Sequence, residues 1–370
     1  MNPFITQNND RISIDSLKAS IIEEIIINGA LEDGDRLPSL RTLTESLSTN
    51  HVTLMKAVKL LTDIGILKTC EKKGIYLENR SKCSLLIPKN AIVGAILPYS
   101  KPGNGYYFDE IASFVESKLK ADGIRLIVQN INWTGGDINL AIDDFSKYYR
   151  AGALLIRLPE GFTDKTAIDR ALLRGVKVIL IDSKIVDSSI PSISVDNVAG
   201  GLTATQHLID RGHRRIAFLR NSLADSPKSS QIEADRFEGY KQALAINKIS
   251  ITDSFDLKPR SALFSDNLLI NHLFAQKVTA VFAYNDENGY NLVNYLQRNN
   301  IKVPEEISVI GFDNVSLYSH FKLTSIDPIR ALMAETAVKW IYSDAAEKRI
   351  VINPILSEGN SVCSIKDNEL

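Results

Sequence analysis

The chain has 370 residues, of which 44% are hydrophobic and 7% aromatic, and its formal net charge is -1. That length exceeds one typical core and predicts two or three domains. The composition excludes a disordered chain, and the balanced charge excludes one coated uniformly in basic residues for nucleic acid. Cys70, Cys83 and Cys363 show no C-x-x-C or Cys/His spacing, which argues against a zinc site or a disulfide framework and fits a reducing cytoplasm. The opening MNPFITQNND lacks the apolar stretch of a secretion signal, and no run of about 18 apolar residues predicts a membrane span, so a cytoplasmic location is expected.

The net charge hides an asymmetry. Residues 1–40 hold three basic side chains (Arg11, Lys18, Arg36) against seven acids, whereas residues 41–89 hold nine against four, a local net of +5. The elements of this region follow from spacing. Leu17, Ile21, Ile25 and Ile26 predict an amphipathic helix from Ser16 to Asn28, stopped at Gly29. A turn at Glu32-Asp33-Gly34-Asp35 leads to a second helix opened by Pro38-Ser39 and carrying Leu40, Leu43 and Leu47. Ser48-Thr49-Asn50 supplies capping residues for a third helix with Val52, Met55, Val58, Leu61 and Ile64, ended by Gly65. Ile66–Cys70 and Ile75–Leu77, joined through Glu71-Lys72-Lys73-Gly74, read as a hairpin. Three helices and a hairpin make a winged helix-turn-helix over residues 10–79, with residues 80–90 as a linker.

These residues carry a resemblance. Gly34-Asp35-Arg36-Leu37-Pro38-Ser39 with Arg41, the helix from Asn50 to Leu61, Ile64-Gly65-Ile66-Leu67 and the wing Gly74-Ile75-Tyr76-Leu77 resemble the winged helix-turn-helix head of the GntR family over residues 14–78. The resemblance implies a recognition helix entering the major groove, with Asn50, His51, Thr53 and Lys56 toward bases and phosphates. It implies Arg41 at a phosphate or guanine edge, and Lys72, Lys73 and Gly74 at the wing tip against phosphates or the minor groove. Two departures stand out. The family usually has Ser-Arg where this chain has Asn50-His51, and Gly-x-Gly where it has Lys72-Lys73-Gly74. A neutral His51 lacks the permanent charge and fork of arginine, so the operator is expected to differ from the common family consensus.

From Ala91 the texture changes. Apolar runs at 92–97, 124–128, 153–156, 176–181, 216–219, 280–283 and 307–310 alternate with helical patterns at 108–122, 137–149, 164–174, 198–212, 232–247, 266–276 and 286–299. This alternation predicts parallel sheets. About 280 residues of it predict two lobes, with a ligand cleft at the strand carboxyl ends. Residues 91–370 are thus expected to form a two-lobed α/β effector domain.

This half resembles the sensor of the lac-repressor family, which shares the periplasmic-binding-protein fold. The carriers are Val195-Asp196-Asn197 with Gly200-Gly201, His207-Leu208-Ile209 with Arg211–Phe218, Arg236 with Gly239-Tyr240, Ala280–Asp286, Val303–Asn314 and Leu323-Thr324-Ser325-Ile326. A polyol needs carboxylates, an arginine and aromatic faces. The matching positions offer Asp182 after the run 178–181, Arg236 in an Arg-x-x-Gly-Tyr pattern, and Asp286 and Asp313 at strand ends. Tyr106 and Tyr107 belong either to the wall of the site or to the core. Asp196 and Asn197 are expected to cap a helix, and Asn285 is open between bracing a loop and the site.

The two resemblances together are similar to the arabinose-repressor type of chimera. They imply a transcriptional regulator, not an enzyme, without cofactor or metal. It is expected to bind a pseudo-palindromic double-stranded operator as a homodimer and to respond to a mono- or disaccharide. Repression relieved by sugar is the expected direction. Activation, or a purine or phosphorylated sugar as effector, stays open. Thr134-Gly135-Gly136-Asp137 lacks the Lys-Ser/Thr ending of a phosphate loop, and no G-x-S-x-G or H-E-x-x-H occurs. An aminotransferase-like domain, found behind some GntR heads, is opposed by the Val303–Asn314 stretch.

Overall fold

The computed structural model describes residues 14–365 apart from 72, 87–88, 99–106, 133–136, 186–187, 221–229, 252–254, 258–267, 316–320 and 344–348. Two of the expected site residues, Lys72 and Tyr106, and the Thr134-Gly135-Gly136 turn lie outside this range. The chain divides into two compact units. One comprises residues 1–94, 137–154 and 164–178, and the other residues 95–136, 155–163 and 179–370.

The first unit begins with α1 (Ile14–Ser20), which runs on as a π-helix through Ile21–Ile27. The predicted helix is therefore present, with its second half wound wider. Helices α2 (Leu40–Ser46) and α3 (His51–Asp63) follow, then the antiparallel hairpin β1 (Leu67–Cys70) and β2 (Gly74–Leu77). Leu54, Ala57, Val58 and Leu61 of α3 recur at helical spacing. They are buried against Leu17, Ile21, Ile22, Ile26, Leu43 and Ile66.

The Gly34–Leu37 motif has a structural reason. Gly34 N–H donates to Leu77 O, Leu77 N–H to Asp35 O, and Leu37 N–H to Ile75 O, so the segment lies antiparallel along β2 with a single bridge at Arg36–Tyr76. Gly74 sits at φ +118, and a Cβ there would fall 2.8 Å from Arg36 Nε, so glycine makes room for the Arg36 side chain over the wing. Residues Arg80–Leu86 form a 3-10 helix whose Cys83 is buried in the head's core. The same unit holds α5 (Ile138–Asp143), a π-helical turn Asp144–Tyr148, and α6 (Thr166–Leu173).

Two six-stranded sheets carry the rest. One has the order β13-β7-β6-β5-β3-β4 and the other β14-β12-β11-β10-β8-β9. Here β3 is Asn90–Pro98, β4 Arg125–Ile131, β5 Ala151–Ile156, β6 Lys177–Ile181, β7 Ser192–Val195 and β8 Ile216–Leu219; β9 is Asp256–Leu257, β10 Ala280–Ala283, β11 Ser308–Phe312, β12 Thr324–Asp327, β13 Arg349–Ile352 and β14 Ile355–Ser357. In the second sheet β8, β10, β11 and β12 pair in parallel, and only β14 runs antiparallel, against β12. The parallel strands are buried on both faces, which is why they read as unbroken apolar runs in the sequence. No helix of the described residues is long and apolar enough to cross a membrane.

In the second unit α7 (Asn197–Asp210) crosses α8 (Gln231–Ile246) at glycines. A Cβ on Gly201 would fall 2.1 Å from Arg236 O, and one on Gly239 2.1 Å from Val198 O. A Cβ on Gly200 would strike the Phe312 ring at 2.4 Å. The glycines thus bring two backbones into contact and seat Phe312 beside them. Alanine gains up to about 1 kcal/mol over glycine in a helix. The backbone clash outweighs this, so Gly239→Ala is expected to destabilise the chain by about 1–3 kcal/mol. Equilibrium urea unfolding measures it, and an unchanged midpoint contradicts the close crossing.

Candidate functional sites

In the head, Ser39 caps α2 by accepting from Thr42 N–H at 3.2 Å. Asn50 caps α3, its Oδ1 accepting from the Thr53 N–H at 2.9 Å and the Thr53 hydroxyl at 3.0 Å. Asn50 and Thr53 therefore hold one another at the helix start, and this arrangement fixes the orientation of the first turn. His51, Val52 and Lys56 project from the exposed side of α3, opposite Leu54, Ala57 and Leu61. Arg41 is exposed and pairs with Glu45 one turn on at 3.1 Å. A surface pair of this kind is weak and leaves the guanidinium available to a phosphate. Lys73 is exposed beside Gly74 at the wing tip. Val52, at 65% exposure, is an apolar residue on this face that the charge pattern did not single out.

The second site lies wholly within the second unit, at carboxyl ends of strands from both sheets. Asp182 follows β6, Asp313 follows β11, Arg157 follows β5 and Tyr284 follows β10, while Tyr107 opens α4 (Tyr107–Leu119). Arg236 of α8 is the hub. Its Nε donates to Asn197 Oδ1 at 2.9 Å, one terminal nitrogen to Tyr284 O at 2.7 Å and the other to Asp313 Oδ1 at 3.1 Å. The guanidinium lies 3.5 Å from the Phe312 ring centre and 5.0 Å from that of Tyr284.

The electrostatics follow from burial. Asp182 is pushed up to about 6 because its carboxylate is desolvated, a shift that Arg157 and Arg236 oppose. Asp313 is raised by the same cause, opposed by Arg236 and Arg330. Burial raises the Tyr107 phenol well above its ordinary value, with Asp182 and Asp313 adding to the shift, and burial raises Tyr284 as well. Both phenols therefore keep their protons and stay hydrogen-bond donors.

Asp286 has a different setting. Its Oδ2 accepts from Val315 N–H and its Oδ1 from the Ser325 hydroxyl, each at 2.6 Å, and the residue is 2% exposed. A Cβ on Gly311 would fall 2.1 Å from Asp286 Oδ1, so the glycine before Phe312 exists to admit this carboxylate. Asp286 ties down the loop that carries Asp313. Asp196 caps α7 by accepting from Ala199 N–H at 2.8 Å, as expected from its place before the helix, and Asn285 caps α10 (Asp286–Arg298) through Asn288 N–H at 2.9 Å.

The sequence reading missed Arg330. It begins α11 (Arg330–Tyr342), where a cation opposes the helix dipole. The position is sustained by other partners. Nε donates to Glu110 Oε2 at 2.7 Å, and the two terminal nitrogens donate to Asp313 O and, at 3.0 Å, to Asn314 O. Its guanidinium lies 5.6 Å from the Tyr107 ring centre. Asp313 and Asn314 stand at φ +111 and +49, a costly conformation for residues with side chains. Arg330 grips both carbonyls of that turn and links it to α4. A basic residue opening a helix just after the Leu323–Ile326 stretch was the available signal. Arg157, directly after an apolar strand, was another.

Comparison with known proteins agrees with this geometry. The family model described as bacterial regulatory proteins, gntR family, matches residues 17–77, and that of the periplasmic binding protein-like domain matches residues 205–362. The HTH-type transcriptional repressor PurR of Vibrio campbellii is 26% identical over 328 residues, covering 86% of this chain and 92% of that protein. Catabolite control protein A of Priestia megaterium is 26% identical over 306 residues, 80% of this chain and 89% of that one. Among solved structures, a LacI family transcriptional regulator from Enterococcus faecium with bound ribose superposes with a TM-score of 0.61 at 21% identity, covering 74% of this chain and all of its own (100%). The transcriptional regulator CelR–cellobiose complex gives 0.59 at 20%, covering 88% and 99%. The chain joins a GntR-type winged helix-turn-helix head to a periplasmic-binding-protein-like domain, and LacI-family regulators share that fold.

Proposed function

We propose that the protein is a transcriptional repressor, and not an enzyme, that releases its operator when an uncharged sugar occupies the site around Arg236. The observation that carries this reading is the presence, in one chain, of a DNA-reading head and a buried Arg236–Asp313 cluster at strand carboxyl ends. The relative PurR named above is a transcriptional repressor, and solved structures of the same fold hold ribose and cellobiose. On DNA, Arg41, His51, Lys56, Lys72 and Lys73 make the contacts, while Asn50 and Thr53 set the start of α3 and Gly74 shapes the wing. Two copies place two recognition helices on a pseudo-palindrome, and residues 10–79 and 91–370 act as the reading and sensing modules.

The chemistry of the site favours a polyol over an anion. Each nitrogen of Arg236 already has a protein acceptor, and Arg330 is turned onto Glu110 and two carbonyls. The groups left to meet a ligand include two carboxylates, Asp182 and Asp313, and two protonated phenols. Carboxylates accept hydroxyl donors and repel phosphate, which disfavours a phosphorylated sugar. Asp286 supports the Asp313 loop from behind, and Tyr107 supplies an aromatic wall.

Calorimetry against neutral pentoses, hexoses and disaccharides, with phosphorylated sugars and nucleobases alongside, tests the ligand class. Gel shifts with DNA from upstream of the coding sequence test the head. Binding only by the phosphorylated compounds or nucleobases rejects the polyol. Arg236→Ala is expected to abolish the effector's influence on the operator complex while leaving operator affinity intact; loss of DNA binding with ligand retained reverses the assignment of the two halves. Lys73→Ala should weaken all duplexes alike and reduce the slope of log K against log salt by about 0.9, measured by fluorescence anisotropy; an unchanged slope removes Lys73 from the interface. Because burial pushes Asp182 up to about 6 and only the ionised carboxylate accepts hydroxyls strongly on both oxygens, sugar affinity should fall below pH 6, by at most roughly tenfold per pH unit, and Asp182→Asn should flatten that profile. Affinity that rises on acidification contradicts this role.

A further inference from the structure

Arg174 ends α6 and is 1% exposed, although a helix C-terminus favours a cation equally well in solvent. Burying this long side chain costs rotamer freedom and hydration, and the site persists because its donors are matched. Its Nε donates to both carboxylate oxygens of Glu23, at 3.0 and 3.1 Å, and a terminal nitrogen donates to Glu23 as well. The other terminal nitrogen donates to Asp143 Oδ1 and Ser146 Oγ, each at 3.2 Å, while the nitrogen on Glu23 also donates to Asn28 Oδ1 at 3.4 Å. Arg170 joins through Asp143 at 3.1 Å, so two cations and two carboxylates alternate as Glu23, Arg174, Asp143 and Arg170.

Glu23 and Asn28 belong to the DNA-reading head, whereas Asp143, Ser146, Arg170 and Arg174 come from the α5–α6 segments, and all lie in one compact unit. Apolar contacts continue the same seam. Leu173 packs on the head's core cluster, which includes Cys83 of the 3-10 helix after the wing. Gly175, at φ +75, leaves space for Ser84 and Lys89; a Cβ there would fall 2.7 Å from Ser84 Cβ. The head is therefore seated on these helices through a buried, fully bonded cation and is not held by the chain connection alone. Strand β6 starts three residues after Arg174, and Asp182 follows its last residue.

We propose that the Glu23–Arg174 pair is the latch of an intramolecular coupling surface, through which the α5–α6 helices set the stance of the DNA head and transmit effector occupancy to it. The docking itself stands independently of the proposed function; only its regulatory consequence rests on that reading.

Hydrogen exchange on the full chain tests the docking without ligand or DNA. Glu23→Ala and Arg174→Ala should each speed amide exchange at least tenfold in residues 17–28 and 137–175 while α10 stays protected, and the double variant should add nothing. Unchanged exchange in residues 17–28 overturns the latch. Should Arg174→Ala fold poorly, Glu23→Ala decides alone, because it alters the partner outside the head's apolar core and leaves Arg174 paired with Asp143. In gel shifts with upstream DNA and the sugar found by calorimetry, Glu23→Ala should reduce the effector-induced change in affinity to less than twofold while sugar affinity stays at the wild-type value. A full effector response in Glu23→Ala overturns the coupling. Failure of the wild-type chain to bind upstream DNA rejects the regulatory reading instead, and the exchange result still judges the docking.

Discussion

Arg236 is the interaction on which the rest of the sensing unit depends. A guanidinium that is 6% exposed tolerates its environment only when its donors meet acceptors. Here the acceptors come from the start of α7, the end of β10 and the end of β11, and the cation rests on the ring that closes β11. None of these groups is in place until both helices and both strands have packed. The glycine crossing of α7 and α8 fixes where Arg236 sits to within the tolerance of a hydrogen bond, since a single extra carbon at Gly201 would meet Arg236 O. The binding geometry is thus a consequence of backbone contact and not of flexible side chains seeking partners.

That dependence explains what was legible from residue order. Helix α3, the wing and strands β8, β10 and β11 declared themselves because their signals are local: apolar spacing, a capping asparagine, a glycine at positive φ; β9, β12 and β14, two to four residues long, did not. Asp182, Arg236 and Asp313 were readable because they follow or face buried strands in recognisable stretches. Arg330 was not, since Glu110 lies 220 positions away and its other acceptors are main-chain carbonyls. Asp286 shows the converse limit. A carboxylate after a strand can face a ligand or turn back to brace a loop, and only the position of Ser325 and the space left by Gly311 decide which. Similarly, the one long helix expected from 16 to 28 winds as a π-helix from Ile21 onward, a change of pitch that apolar spacing alone does not encode.

Backbone strain gathers around the same cluster. Asp182 at φ +48, Asp313 at +111, Asn314 at +49 and Ile329 at +56 all occupy the left-handed region, each at the end of a strand or the start of a helix lining the site. Such residues cost on the order of 1–3 kcal/mol apiece. Glycine at these positions would remove the cost but also the side chain, and at Asp313 that side chain is an acceptor for Arg236. Arg330 supplies the compensation at the second turn by bonding to both strained carbonyls. Because it also holds Glu110 of α4, any movement that separates the β11 turn from α4 must break charge-assisted hydrogen bonds.

An effector changes an equilibrium only by the difference in its affinity for two states, typically about 1–3 kcal/mol. That is the scale of a few hydrogen bonds, so the coupling cannot be spread over soft contacts that absorb displacement without energetic consequence. Arg330 has the contrasting character at the turn after β11, where a carboxylate and two carbonyls are held by one cation. Arg174 shares it in the other compact unit, where a cation is bonded to the head and to the helices beneath it. Groups of this type have discrete arrangements, bonded or broken. Under the proposed function, a small displacement at the Arg236 cluster is either blocked or passed on whole, which is what a switch requires and a compliant apolar contact does not provide.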